Sequence, residues 1–239
     1  MSPTLPVGLP SNTRDLFWSL GDLVAPRTQT QVGGSGAPSL VVNTGSTNPP
    51  VYAVQDTFDC TQFFGGLGNG LIGPSDANLI ECSQGQFVTK QLSCKISLKL
   101  SNYGGGGFLS FLRKRQTLIG QAPSGVLDTI QLNGFNSNNG LWYVGLASGP
   151  GTAVYVGNTT DFYPLNVWTC LGFSWDGTTI RLYRDGVAKD TAAFAGPLDW
   201  GAGGPWDIGS YGAGVLTITG YARNVFVWNS VQAASWFVS

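Results

Sequence analysis

Residues that commonly carry catalysis are scarce in this chain. Its 239 residues include no histidine, and Glu81 is the single glutamate. Without histidine, the Ser-His-Asp and Cys-His nucleophilic systems are excluded. Retaining glycoside hydrolysis needs two carboxylates about 5 Å apart, but the aspartates mostly occupy turn sequences, as Asp76, Asp176 and Asp185 do. We therefore expect no catalytic residues and a protein that is not an enzyme.

The cysteines do not form a metal-binding pattern. Cys60, Cys82, Cys94 and Cys170 are widely spaced and have no histidine near them, so a zinc site is not expected. We expect no cofactor and no bound metal, and no ligand pattern supports calcium. Cys94 and Cys170 stand in apolar runs that predict buried free thiols, whereas Cys60 and Cys82 flank a glycine-rich loop, where a disulfide between them is left open.

Aromatic residues beside carboxylates are the strongest candidates for a binding site. A flat tryptophan face next to a carboxylate can stack on and hydrogen-bond a sugar ring, and loops on a rigid scaffold often carry such sites. The alternative, in which the rings close the ends of a sandwich, is left open. The first candidate surface surrounds the loop at 201–205 and comprises Asp199, Trp200, Trp206, Asp207 and Tyr211. The second comprises Trp142, Tyr143, Asp161 and Tyr163.

The elements that would position these residues are strands. No stretch sustains a helical apolar period, whereas short apolar runs recur between Gly, Asn, Pro and Ser clusters about every ten residues. The run 168–175 leads through Asp176-Gly177 into 179–184, and Asp185-Gly186 then turns the chain again, which predicts a three-stranded meander. The predicted strands are 87–100, 107–111 with 117–120, 127–132, 141–146, 153–156, 168–175, 179–184, 206–209 and 215–228.

Composition and charge exclude several partners. Only 10% of the residues are charged, against roughly 25% in an average domain, and the net charge is −1. With so little positive charge, the chain is not expected to bind nucleic acid. Membrane insertion is not expected either, because no apolar run reaches the roughly 18 residues of a spanning helix. The basic cluster at 113–115 is interpreted as a solvated strand end or turn. The N-terminus has no signal-peptide pattern.

The second half of the chain resembles a known superfamily. Residues 168–186, which contain both Asp-Gly turns, resemble the core motif of laminin-G-like and concanavalin-A-like jelly rolls. Residues 206–209 and 219–229 are similar to two later strands of these domains, and 230–237 to the short helical tail that follows. In the closing strand, Arg223-Asn224 stands where the family has an Asp-Glu pair, so the contacts of that pair are not carried over. The run at 16–20 is similar to the opening strand.

The resemblance implies an all-β fold, an antiparallel two-sheet β-sandwich of the jelly-roll type. We expect an N-terminal arm at 1–13 and a single domain at 14–239, with 16–20 joining the sandwich. The predicted function is a non-enzymatic, lectin-like surface or structural protein of a virion, such as a capsid decoration, fibre or tail component, that binds glycans or a host surface. Its location would be the virion surface or the extracellular space, and its partners glycans, other virion subunits and further copies in a homo-oligomer. The alternatives are a purely structural oligomerising or capsid-cementing protein and an accessory domain of a secreted polysaccharide hydrolase.

Overall fold

The structure is a computed structural model that describes residues 16–18, 20, 28–29, 40–42, 50–65, 71–72, 91–103, 109–115, 128–135, 140–148, 152–157, 161–198, 206–209, 217–228 and 230–239. Short runs at 16–18, 28–29, 40–42 and 71–72 are described by their backbone alone. The strands are β1 (Leu16–Trp18), β2 (Thr28–Gln29), β3 (Leu40–Val42), β4 (Val51–Gln55), β5 (Phe58–Phe64), β6 (Leu71–Ile72), β7 (Leu92–Leu100), β8 (Leu109–Arg115), β9 (Asp128–Gly134), β10 (Trp142–Ala147), β11 (Ala153–Gly157), β12 (Thr169–Trp175), β13 (Thr179–Arg184), β14 (Val187–Ala193), β15 (Trp206–Ile208) and β16 (Thr219–Trp228).

These strands form two antiparallel sheets, which confirms the predicted β-sandwich. Sheet 1 has the order β14-β13-β12-β7-β16-β5-β4, and β1 also pairs with β16. Sheet 2 has the order β11-β10-β9-β8-β15-β6-β3-β2. Runs of consecutive strands alternate with long-range neighbours in each sheet, since β7 lies between β12 and β16 and β8 lies beside β15. Each sheet therefore has an inner face, towards the other sheet, and an outer face.

The predicted meander is present as β12, β13 and β14. Gly177 has a φ of 94° in the first turn, and Asp185 and Gly186 have φ values of 49° and 79° in the second. The Asp176 carboxylate fixes the first turn by accepting hydrogen bonds from the backbone N–H groups of Thr178 and Thr179. These bonds and the ion pair with Arg181 hold the pKa of Asp176 well below its usual range. The two Asp-Gly turns thus define one edge of sheet 1.

The core lies between the sheets and follows the alternation of the strands. In β12, Leu171, Phe173 and Trp175 are fully buried in the main hydrophobic cluster, while the other face of this strand carries small residues. Gly172 lies on that thin face, where a Cβ atom would stand 2.4 Å from the Cys94 carbonyl oxygen and 2.7 Å from Phe237. Burying a large apolar side chain stabilises the fold by about 1.5–3 kcal/mol. The small residues leave room for the C-terminal tail.

The C-terminal tail lies on the outer face of sheet 1. A single 3₁₀ turn, Ala234–Trp236, follows β16, as the resemblance implies for this position. The Lys95 ammonium group donates hydrogen bonds to the carbonyl oxygens of Trp236 and Val238, at 2.7 and 3.1 Å. It also lies 4.7 Å from the centre of the Trp236 ring. One cation thus ties the tail to β7.

The N-terminal apolar run joins the sandwich, as expected. Leu16 pairs with Val227 of β16, and Leu20 is fully buried. The backbone carbonyl of Leu20 accepts a hydrogen bond of 2.7 Å from the Thr61 hydroxyl. The predicted strand residues 87–90 and 117–120 lie outside the described residues. In the described part of the chain, no helix is long and apolar enough to cross a membrane.

The cysteines confirm one expectation and answer a question that the sequence left open. Cys94 and Cys170 are buried free thiols, as predicted. Cys60 is also a buried free thiol, and its sulfur donates a 3.4 Å hydrogen bond to the Ala53 carbonyl oxygen. A disulfide between Cys60 and Cys82 is therefore not formed. Burial raises the pKa of the Cys60 thiol to about 11.

Candidate functional site

Two residues of the first predicted surface lie on opposite faces of sheet 2, because they are adjacent in β15. The indole ring of Trp206 lies in the core, with 1% of the residue exposed, so it presents no face to solvent. Its neighbour Asp207 points to the outer face of sheet 2, because successive side chains of a strand point in opposite directions. Asp199, Trp200 and Tyr211 lie outside the described residues. The two adjacent residues thus cannot line one surface.

The second predicted surface is divided in the same way. Trp142 lies in the core, and its indole N–H donates a 3.3 Å hydrogen bond to Asp161. Tyr163 is also buried, and its ring contacts the Tyr103 ring at a centroid distance of 5.3 Å. Burial raises the pKa of Tyr163 above its usual value. Tyr143 alone of this group points to the outer face, and binding by these residues stays a prediction.

Asp161 links the core tryptophan to two cations. One carboxylate oxygen lies 3.0 Å from Arg184 and 3.0 Å from Lys189, while the other accepts the hydrogen bond from Trp142. Arg184 and Lys189 belong to β13 and β14 of sheet 1, and Trp142 belongs to β10 of sheet 2. Asp161 therefore connects the two sheets at this end of the sandwich.

The basic cluster of β8 is buried, so its interpretation as a solvated strand end is wrong. Arg113, Lys114 and Arg115 expose between 1% and 7% of their surface. Arg113 is directly opposite Gln131 of β9 on one side and Asp207 of β15 on the other. A buried charge is tolerated only when it is paired. Asp128, the partner of Arg113, belongs to β9, the next strand, whereas Asp207, the partner of Arg115, belongs to β15, which is distant in sequence.

The polar residues around Arg113 form the outer face of sheet 2. In β9 the apolar residues Ile130 and Leu132 belong to the core, so Gln131 and Asn133 between them point outward. Cross-strand pairing extends this face in two rows. One row contains Ser110, Asn133, Tyr143 and Gly157, and the other contains Asp207, Arg113, Gln131, Gly145 and Tyr155.

Hydrogen bonds and ring contacts organise this face. The Asn133 amide donates to the Tyr143 hydroxyl at 2.8 Å and to the Gln131 amide oxygen at 3.2 Å. The rings of Tyr143 and Tyr155 meet edge to face at 5.7 Å. Gly145 accommodates them, because a Cβ atom there would lie 2.7 Å from the Tyr155 ring. Burial raises the pKa of Tyr143, so its phenol is neutral at physiological pH.

The charges of the face are balanced. Arg113 forms a buried ion pair with Asp128. Arg115 lies 3.9 Å from the carboxylate of Asp207. Two arginines therefore face two aspartates, and these four side chains add no net charge to the surface.

Among the uncharged side chains described on this face, two buried oxygen atoms have no hydrogen-bond partner. They are the hydroxyl oxygen of Ser110 and the amide oxygen of Asn133, which belong to directly opposed residues of β8 and β9. Leaving a buried polar group unsatisfied costs about 1–3 kcal/mol. Adjacent groups of this kind are therefore candidates for contact with a ligand or an ordered water molecule.

Sequence reasoning named Tyr143 and Asp207 but missed the other residues of the face. The missed residues are Ser110, Arg113, Gln131, Asn133 and Tyr155. A signal for two of them exists in the order Ile130-Gln131-Leu132-Asn133, which alternates between apolar and polar residues as a half-buried strand does. The remaining residues are brought together by the register between β8, β9, β10 and β11, which follow one another in the chain.

The described residues provide no clear metal site. Among them, no group of three or more His, Cys, Asp or Glu side chains is arranged to hold a metal ion. The carboxylates of the outer face of sheet 2, Asp128 and Asp207, each lie beside an arginine. What this face offers a ligand is hydrogen-bonding groups and aromatic rings.

Comparisons with known proteins agree with the fold. Residues 112–236, more than half of the chain, match the family described as the Concanavalin A-like lectin/glucanases superfamily. No curated protein sequence matches the chain.

Several solved structures share the fold at low sequence identity. Domain 4 of AbnA, an extracellular arabinanase from Geobacillus stearothermophilus in complex with arabinotriose, has a TM-score of 0.59 and 15% identity over 94% of this chain and 97% of that one. The binding domain of botulinum neurotoxin serotype G has a TM-score of 0.58 and 10% identity over 93% of this chain and 49% of that one. The sialidase CBM40 of Ruminococcus gnavus, bound to α2,3-sialyllactose, has a TM-score of 0.51 and 14% identity over 63% of this chain and 84% of that one.

Proposed function

Because the chain belongs to the concanavalin A-like lectin/glucanases superfamily, we propose that it is a carbohydrate-binding protein whose glycan site is the outer face of sheet 2. Two similar structures support this proposal, since one is bound to arabinotriose and the other to α2,3-sialyllactose. The residues of this chain provide the specific argument. Their hydroxyl and amide groups can form hydrogen bonds with a sugar, and their aromatic rings can stack on it.

The observation that carries the proposal is the unpartnered pair of Ser110 and Asn133. The Ser110 hydroxyl can donate and accept, while the Asn133 amide oxygen accepts. Neighbouring hydroxyl groups of a sugar can each donate and accept, so one sugar edge offers partners for both atoms. Binding would then remove the cost of two unsatisfied buried groups, which favours a ligand with several hydroxyls over an apolar one.

Aromatic rings extend the site towards solvent. Tyr155 is 47% exposed, whereas Tyr143 and Asn133 are buried. The Tyr143 ring contacts two other rings, since its centre lies 4.6 Å from that of Phe135 and 5.7 Å from that of Tyr155. A sugar can pack one face on an aromatic ring and direct its hydroxyls to polar neighbours. We infer that an oligosaccharide extends from Tyr155 to the buried polar pair.

We further propose that binding is not followed by hydrolysis. The chain contains one glutamate and no histidine. Both aspartates of the face are engaged by arginines, Asp128 by Arg113 and Asp207 by Arg115. A purified chain should release no reducing sugar from polysaccharides that it binds. Release at a rate that falls in an Asp128→Asn or Asp207→Asn variant would contradict this part of the proposal.

Calorimetric titration of substituted proteins tests the binding face. Ligands would be selected on a glycan array that includes arabinotriose and α2,3-sialyllactose. Ser110→Ala should weaken binding about tenfold, as expected when a hydrogen bond worth about 1.4 kcal/mol is lost. Tyr155→Ala should weaken it further, because a stacked ring is removed. The matched control is Ser174→Ala, a buried serine of sheet 1.

Two results would contradict the proposal. One is a blank glycan array at high concentration of folded protein. The other is an affinity that is unchanged by Ser110→Ala and Tyr155→Ala but reduced by the control. Circular dichroism spectra should show that all variants keep the β-sheet fold.

The virion setting rests on the sequence alone. We propose it as the location because only 10% of the residues are charged while the chain contains 35 glycines, a composition that fits a virion or extracellular β protein. Homo-oligomer formation is part of the same proposal. Capsid, portal or tail genes beside the coding sequence would support it, and a trimer or larger assembly in light scattering would support the oligomer. Neighbouring genes for polysaccharide degradation would instead favour the hydrolase accessory domain.

A further inference from the structure

The outer face of sheet 1 holds a buried arginine without a carboxylate. Arg223 of β16 is 7% exposed, and its Nε atom is buried without a hydrogen-bond partner. None of the ion pairs among the described residues includes Arg223. The guanidinium group therefore keeps a full positive charge in a largely desolvated position. Such an arrangement is unfavourable unless something compensates it.

Aromatic rings, rather than acids, surround the guanidinium group. Its central carbon lies 3.4 Å from the centre of the Phe58 ring and 4.7 Å from that of the Trp168 ring. The two rings are inclined at 88° to each other, so they form a corner around the cation. Cation–π contacts contribute about 0.5–2 kcal/mol, but they leave the N–H groups without acceptors. Phe58 is 39% exposed, which places this corner at the protein surface.

A hydroxyl group without a partner lies beside the arginine. Ser97 of β7 is directly opposite Arg223 in the sheet, and its Oγ atom is buried without a hydrogen-bond partner. Both residues point outward, because their neighbours Ile96, Leu98 and Ala222 belong to the core. On its other side Ser97 is directly opposite Cys170 of β12, whose thiol is a weak hydrogen-bonding neighbour of the hydroxyl. No carboxylate or carbonyl oxygen of the described residues accepts a hydrogen bond from Ser97 Oγ or Arg223 Nε.

The surrounding groups do not neutralise this positive charge. Burial raises the pKa of the nearby Cys60 and Cys170 thiols to about 11 and about 12, so both are neutral at physiological pH. Lys99 is already paired with Asp56 at 2.6 Å. Lys95, on the same face, is a second cation, and its hydrogen bonds go to carbonyl oxygens. Two cations, Arg223 and Lys95, thus lie on this face without a carboxylate paired to either of them among the described ion pairs.

We propose that Arg223 and Ser97 form an anion-binding site for a carboxylate, on the sheet opposite to the glycan face. A guanidinium fork presents parallel N–H groups that match the two oxygens of a planar carboxylate. The Ser97 hydroxyl would donate to the same group. The site is independent of the proposed glycan site, since it uses the other sheet. Its carboxylate could come from an acidic sugar or from an acidic side chain.

Nuclear magnetic resonance of the arginine Nε–H groups tests the site in the intact chain. Sodium acetate would be titrated at constant ionic strength, with sodium chloride replaced as acetate is added. We expect a saturable shift of the Arg223 Nε–H signal and no comparable shift for Arg181, which is paired with Asp176. A linear shift, a shift of both signals alike, or no shift would overturn the proposal and leave an ordered water molecule as the partner.

Variants and two further probes sharpen this test. Arg223→Lys keeps the charge but loses the fork, and should weaken acetate binding at least about tenfold. Ser97→Ala should weaken it less. Glucuronate bound more tightly than N-acetylglutamate would indicate an acidic sugar, and the reverse an acidic side chain. Equal binding by wild type and Arg223→Lys would overturn the proposal. If a variant does not fold, the wild-type titration still decides, and Ser110→Ala should leave acetate binding unchanged.

Discussion

Arg113 and Arg223 differ in their partners although they are buried to the same extent. Each exposes 7% of its surface on the outer face of a sheet. Arg113 on sheet 2 forms an ion pair with Asp128, whereas Arg223 on sheet 1 contacts Phe58 and Trp168. Burial alone therefore does not identify the role of a cation. The partner set separates a charge that maintains the fold from one that is available to a ligand.

The largest effect is expected for Arg113→Met. This substitution leaves the buried Asp128 carboxylate without its ion-pair partner, and breaking a buried pair from one side costs about 3–5 kcal/mol. The free energy of unfolding, measured in denaturant, should fall by that amount. The double variant Arg113→Met with Asp128→Leu should recover much of the loss. A fall below about 1 kcal/mol would mean that Arg113 is not held by this pair.

The protein should become less stable at alkaline pH because two thiols near Arg223 lose their protons. Burial raises the pKa of Cys60 to about 11 and of Cys170 to about 12, from an ordinary value of 9.0. Below about pH 8 both thiols are protonated in the folded and unfolded states, so stability is unaffected by them. Above about pH 9 the unfolded chain loses these protons first, and the free energy of unfolding should fall.

Serine variants check this assignment. Cys60→Ser and Cys170→Ser should each reduce the slope of stability against pH between about 9 and 12, because a hydroxyl does not titrate there. Denaturation curves at several pH values measure the slope. An unchanged slope in both variants would show that other groups cause the alkaline loss.

A smaller effect is expected for Arg223→Met. Removal of the cation loses cation–π contacts worth about 0.5–2 kcal/mol, but it also removes an uncompensated desolvated charge. Because the two terms oppose each other, the free energy of unfolding should change by less than about 1 kcal/mol, in contrast to Arg113→Met. A loss as large as that of Arg113→Met would remove the distinction between the two arginines.

The smallest effect on stability is expected for Ser110→Ala. The Ser110 hydroxyl has no partner within the protein, so its removal deletes an unsatisfied group and no hydrogen bond. The melting temperature should remain the same or rise slightly. Ser93→Ala is the comparison, because the Ser93 hydroxyl donates to the Ser230 carbonyl oxygen at 2.8 Å and accepts from the Gln232 N–H. Equal destabilisation of both variants would contradict the assignment.

Local sequence patterns predicted the parts of the fold that local physics determines. The Asp-Gly turns predicted the meander, because positive φ angles at these positions permit few other structures. The hairpin of β4 and β5 was missed, since its turn uses Asp56 and Thr57 with φ values of 53° and 70°, and Asp-Thr is a weak turn signal. Strand ends were placed to within a few residues.

The candidate site was harder to predict because it depends on the register between paired strands and, for Asp207, on pairing with a strand that is distant in sequence. Trp206 and Asp207 are adjacent in sequence, but strand alternation directs them to opposite faces. From the sequence alone, the cluster at 113–115 is interpreted as solvated, because its partners Asp128 and Asp207 are visible only in the structure. No local pattern reveals that Ser110 stands opposite Asn133, or Arg223 opposite Ser97.

The central claim is that an oligosaccharide binds the outer face of sheet 2, and side-chain amide resonances test it most directly. Asn133 and Gln131 lie on that face, while Gln62 of β5 belongs to sheet 1. Titration with an oligosaccharide selected on the array should shift the Asn133 and Gln131 amide signals and leave that of Gln62 in place. A shift confined to Gln62, with the Asn133 and Gln131 signals unchanged at saturation, would contradict the claim.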